Sequence, residues 1–205
     1  MYIPTAFRIQ DPEKLAGFIE QHSFATLVTQ SESGPFASHL PLLLDRASNR
    51  LLGHMARANP QWEHFAEGGE TLAVFHGPHA YISPRWYRTA PAVPTWNYAV
   101  VHVQGSARVI ADEPEVARIV HRTIRFYEGD GPEAWDGNLP AEYEARMLRG
   151  IVAFEVAITR WEGKFKLGQN RDKADINAVR SALSQSTDQG ERRLADLMKQ
   201  EGWVE

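Results

Sequence analysis

The chain has 205 residues, and its 43% apolar content is enough to bury a real core and too much for global disorder. It contains no cysteine, which removes disulfides, thiolate-held zinc and iron–sulfur clusters from consideration. A formal net charge of -4 argues against a whole-chain electrostatic grip on nucleic acid, and residues 164–205, with eight Lys or Arg against seven Asp or Glu, form no basic arm.

No apolar run approaches the ~20 residues that span a bilayer. The first residues lack a basic stretch followed by an apolar one, so with the absent cysteines the sequence predicts a soluble, cytoplasmic protein and no membrane partner.

In chain order, Asp11-Pro12-Glu13 supplies a cap, a proline at the first helical position and an early acid. Leu15, Phe18, Ile19 and His22 then recur at helical spacing. Three strands follow, at Phe24 to Gln30, Pro35 to Asp45 and Arg50 to Ala56, separated by turn-forming residues at 31–34 and 46–49. Such close succession predicts an antiparallel meander, because parallel neighbours need longer crossovers. Pro41 removes a ladder donor, so the strand at Ser38-His39-Leu40-Pro41 is expected to be an edge or to bulge there; a plain edge and a ligand-facing bulge both fit.

The third strand runs straight into a helix start. Asn59 can cap the first turn, and Pro60 suits the first helical position because its missing N–H would be unpaired there anyway. Arg57 then lies beside free backbone donors and the positive end of a short helix. That arrangement suits a phosphate dianion; the alternative is a solvated arginine at an ordinary turn.

Further strands are predicted at Thr71 to His76 and Ala80 to Ser83, with Gly77-Pro78 as a rigid turn between them. His76 and His79 stand three apart, but the intervening Gly-Pro and the lack of an acidic neighbour speak against a metal. No histidine stands in a triad order, so nucleophilic hydrolysis has no support. The aromatic-dense segments 81–87 and 94–98, interleaved with hydroxyls, an amide and an arginine, suit a planar hydrogen-bonding ligand as well as ordinary packing. Residues 84–94 read as a loop.

A long strand is expected over Tyr98 to Ile110, then a helix opened by Asp112-Glu113-Pro114 with Val116, Ile119, Val120 and Thr123 inward. An irregular stretch at 128–140, a short helix from Pro140 through Leu148 and a strand at Ile151 to Trp161 follow. Lys164 and Lys166 project to one face, Phe165 and Leu167 to the other. Two adjacent cations repel unless they are solvated or meet an anion, so a solvated edge and a phosphate clamp are both open. Asp172 to Leu183 and a last helix begun by Asp188 and Glu191 close the chain. Together these elements predict a mainly β (α+β) fold: six or seven antiparallel strands closing into a barrel, with peripheral helices. The barrel domain is placed at 1–170 and a C-terminal helical extension at 171–205.

With these motifs in hand, the chain resembles the PaiB-like family of FMN-binding negative transcriptional regulators, within the split-barrel flavoprotein superfamily. The resemblance is carried by Ser38 to Pro41, Gly53 to Trp62, Val74 to Pro84, Val93 to Tyr98 and Lys164 to Asn170, in the family's order. One departure is Gly168, where the family pattern has serine. The resemblance implies an antiparallel split β-barrel, a homodimer and FMN at the subunit interface. It implies Arg57 and Lys166 as phosphate partners, with His54, Ala56 and Asn59 lining the cradle. Ser83, Trp86, Thr95 and Asn97 are implied for the ring or ribityl side, and Gln169 joins the cofactor contacts. DNA as a partner is implied by the family alone. Two alternatives stay open on the same barrel: a flavin-dependent oxidoreductase, and haem binding through His76, His79 or another histidine.

Overall fold

The computed structural model describes residues 1–202. Helix α1 (Pro12–Gln21) begins where expected, with the Asp11 side chain accepting from Glu13 N, and it buries Leu15, Phe18 and Ile19. The meander is β2 (Phe24–Ser31), β3 (Gly34–Asp45) and β4 (Arg50–Ala56), antiparallel throughout, with Thr26 opposite His39 and Leu43 opposite Leu52. Then come β5 (Glu70–Ile82), β6 (Thr95–Ile110), α2 (Glu113–Glu128), α3 (Ala141–Arg149), β7 (Ile151–Lys166), α4 (Lys173–Ser184) and α5 (Gln189–Gln200). A two-residue β1 (Arg8–Ile9), absent from the sequence expectations, pairs with β7 through Arg8 opposite Lys164. The strand order is β1-β7-β4-β3-β2-β5-β6, and a β6–β7 pairing closes the hydrogen-bonded ring. The expected closure of an antiparallel sheet on itself is therefore present.

The chain divides into two compact units. One comprises Met1–Phe18, His76–His102 and the residues from Glu162 onward; the other comprises Ile19–Phe75 and Val103–Trp161. The first is filled by Phe18, Phe165 and Leu167, with Leu183, Leu194 and Met198 buried from the two last helices. The second is filled by Leu27, Leu42, Leu51, Phe75 and Phe154, and Ile119 of α2 buries against Leu52, Ile110 and Ala153.

Three expectations need correction. Gly77-Pro78 makes no turn: β5 runs unbroken through it. A Cβ at position 77 would stand 2.5 Å from Phe18 Cζ, so the glycine serves close packing rather than a reversal. Pro41 does not mark β3 as an edge, since β3 lies between β4 and β2. It faces Phe24 on β2, while pairing with β4 begins only at Leu42, so the strand is one-sided where the donor is missing. The Pro60 helix is a 3-10 helix, Pro60–Glu67, which tightens the first turn expected there.

Candidate functional site

In the unit containing β2 to β4, the junction after β4 is held by backbone and side-chain bonds of its own. The Asn59 side chain accepts from Gln61 N at 3.0 Å, the N-cap the sequence announces, and its amide donates to Ser38 Oγ at 2.8 Å. Arg57 N donates to Gly150 O, and its guanidinium donates through Nε to Arg149 O at 2.8 Å and through Nη2 to Ile151 O at 2.7 Å. One edge of the fork is thus occupied by carbonyls, and among the described residues the Nη1–Nη2 end makes no further hydrogen bond. His54, opposite Ala153 on β4 and β7, has a buried Nδ1 that finds no hydrogen-bond partner among the described residues. Burial alone pushes this imidazole below the usual histidine range. Ala56 closes β4 with an exposed side chain.

Behind this turn lies a polar group with no role in the sequence expectations. Gln61 is fully buried, and its amide nitrogen reaches Leu27 O at 2.9 Å, Thr29 Oγ1 at 3.2 Å and Phe36 O at 3.2 Å. Thr29 Oγ1 is also hydrogen-bonded to His64 Nδ1, 2.9 Å away. The 3-10 helix is therefore fastened to β2 and β3 by side chains. Only the Asn59 end of this arrangement carries a local sequence signal.

The other unit holds Ser83, Trp86, Thr95, Asn97, Lys166 and Gln169. Ser83 caps the 3-10 turn Pro84–Trp86 by accepting from Arg85 N, which leaves Trp86 half-buried at its end. Because β6 starts at Thr95, three residues before the strand start expected at Tyr98, both Thr95 and Asn97 sit on the strand itself. The Lys166 ammonium donates to Thr95 Oγ1 and to Trp96 O. Lys164 is buried, donates to Tyr2 O at 3.1 Å and lies over the rings of Tyr2 and Tyr98 at 5.4 and 5.2 Å. Burial first, and then the Lys164 charge, hold Lys166 below the usual lysine range. Among the described residues neither lysine forms an ion pair with a carboxylate.

Gln169 is bound to its own strand end, accepting from Leu167 N and donating to Phe165 O. Asn97 is buried and comes within 3.8 Å of where a Cβ on Gly168 would lie. Gly168 itself has φ +91°, a conformation that a serine adopts only under strain. Trp96 is half-exposed, its ring flanked by His79 and Tyr81 at centroid distances of 6.3 and 6.1 Å. The structure thus joins Lys166 with Thr95 in one unit and Asn59 with Ser38 in the other. Asp175, which sequence reasoning did not single out, accepts from Arg88 N, Thr89 N and Thr89 Oγ1 and ties the loop before β6 to α4.

The family model described as "Putative FMN-binding domain" matches residues 1–160. A near full-length likeness accompanies it: 36% identity over 203 residues, covering 97% of both chains, to the protease synthase and sporulation protein PAI 2 of Bacillus subtilis. The chain belongs to this PaiB-like FMN-binding family. An uncharacterized protein of Emericella nidulans is 29% identical over 208 residues, covering 81% of this chain and 82% of its own. Among solved structures, the flavocytochrome Anf3 of Azotobacter vinelandii superposes with a TM-score of 0.65 at 17% identity, over 84% of this chain and 75% of that one. The FAD and heme binding protein of Mycobacterium smegmatis gives 0.62 at 17% identity, over 83% and 78%. These likenesses establish the split-barrel fold of this FMN-binding family member.

Proposed function

We propose that this chain is a homodimeric flavin-binding protein that holds FMN through Lys166 and serves as a negative regulator of transcription. The observation that carries the FMN reading is the lysine pair. Lys164 and Lys166 share a strand face, burial first and then its neighbour's charge hold Lys166 below the usual lysine range, and no carboxylate among the described residues answers either. A dianionic phosphate is the group such a pair lacks. Thr95 and Asn97 add a hydroxyl and an amide on the adjacent strand, and Trp96 adds an aromatic face, so the donor set fits a phosphorylated planar cofactor. When bound, FMN supplies one- and two-electron redox chemistry. The residues' own part is to bind and orient: Lys166 as the cation, Thr95 as the group that positions its ammonium. In the unit containing β4, the Asn59–Ser38 bond keeps the 57–60 turn in shape.

The half-exposed Tyr81 and Trp96, with ring centroids 6.1 Å apart, form an apolar surface suited to a second copy of the chain. The regulatory reading takes its support from the likeness to the sporulation protein PAI 2. An absorbance spectrum of the purified protein, followed by FMN titration, tests the cofactor reading and would also reveal haem. Lys166→Ala is expected to weaken FMN by about 1.5–3 kcal/mol, the scale of a charge-assisted hydrogen bond. Absence of flavin absorbance with no response to added FMN would refute the reading. Sedimentation equilibrium tests the dimer.

A further inference from the structure

We infer that the unit containing β2 to β4 carries a second ligand site, for a small amphipathic carboxylate, and that Arg57 serves this site rather than the flavin phosphate for which the family resemblance implies it. A cavity of about 340 Å³ lies within this unit, lined by Trp62, Val109, Ile110, Val116, Leu148 and Val152. That volume falls within the ~300–1,000 Å³ of small-molecule pockets. The walls are aliphatic apart from one indole, so the body of the ligand is apolar. Its charge follows from the polar lining: Arg57 and Arg149 are cations, and Glu113 is the single acid.

Arg57 supplies the specificity. Its Nε and one Nη2 proton are committed to Arg149 O and Ile151 O, which immobilises the guanidinium in the cavity wall. The remaining Nη1–Nη2 end presents two parallel donors, the fork that a carboxylate takes in bidentate fashion. A fixed cation also loses little side-chain entropy on binding, which favours an anion over a neutral isostere. Access comes from α3: it contributes Ala145, Leu148 and Arg149 to the lining, yet none of its residues is fully buried. A wall held by so few buried contacts opens at low cost.

The test uses the full-length protein with decanoate and decanol, followed by displacement of the fluorescent sulfonate 1-anilinonaphthalene-8-sulfonate and by calorimetry. Decanoate is expected to bind at least tenfold more tightly than decanol, and Arg57→Gln to erase that preference while leaving decanol unchanged. Val116→Trp, which fills the cavity from α2, is expected to abolish binding of both while FMN titrates as in the wild type. Leu148→Trp fills it from the α3 wall and replaces the first variant if that one does not fold. Excess FMN is expected to leave decanoate bound. No decanoate binding, equal affinity for acid and alcohol, binding retained in the tryptophan variants, or one-for-one displacement by FMN would each overturn the inference.

Discussion

Replacing Gln61 by leucine isolates the contribution of a buried amide at nearly constant volume. The wild-type nitrogen carries two protons shared among Leu27 O, Thr29 Oγ1 and Phe36 O, so about two net hydrogen bonds are lost, each worth ~1 kcal/mol. Stranding a strand carbonyl in the interior adds ~1–3 kcal/mol. Against this, the wild-type Oε1 is itself buried and finds no hydrogen-bond partner among the described residues; removing it returns ~1 kcal/mol. The balance is a loss of about 2–4 kcal/mol, read as a lower urea midpoint at unchanged m. Gln61→Glu is expected to be worse at neutral pH, because it sets carboxylate oxygens against three acceptors. It should recover as pH falls: a buried acid binds its proton more tightly in the folded state, and the protonated form can donate. A Gln61→Leu midpoint within ~0.5 kcal/mol of wild type, or a glutamate variant no worse than the leucine one, would refute the assignment of this amide as the fastening of the 3-10 helix.

Gly77→Ala is expected to cost about 1–3 kcal/mol by overpacking, measured as a fall in Tm, because the added Cβ meets Phe18 while Phe18 is itself packed on Phe165 at 5.0 Å. His54 and His102 are both held below the ordinary histidine range, chiefly by burial, so the unfolded chain binds more protons than the folded one between the folded value and about 6.5. Their contribution is fully present above that pH and is lost as the pH falls toward the folded value; urea midpoints across an acid series should show this, and His54→Asn should flatten the slope. Lys166, with its depressed pKa, should lose its charge earlier than an ordinary lysine as pH rises, so FMN affinity should decline on the alkaline side. Lys166→Arg should move that decline to higher pH; equal pH profiles would count against Lys166 as the phosphate cation.

The parts of this fold that the sequence made legible are those whose causes lie within a few residues. Asp11, Asn59, Asp112 and Asp188 each accept a backbone N–H two or three positions on, and each marks a helix start. The meander follows from alternation and short turns. Gly77-Pro78 misled because the local rule for that pair is a turn, whereas the cause of the glycine is a phenylalanine ring from α1, distant in the chain. The same limit governs the site. Alternation places Lys164 and Lys166 on one face, but Lys164 is buried because Tyr2, from the other end of the chain, brings both its carbonyl and its ring to the ammonium. Their shared face follows from period two; their surroundings follow from strand β1 pairing with β7, which two residues of sequence cannot announce. Glycine and lysine thus mislead in opposite directions for one reason: a residue's type limits what it can do, while a distant partner decides which of those things it does. Position 166 has such partners in Thr95 and Trp96, both neutral. A cation satisfied only by neutral oxygens keeps its charge uncompensated, and that is the physical basis for assigning the phosphate to it.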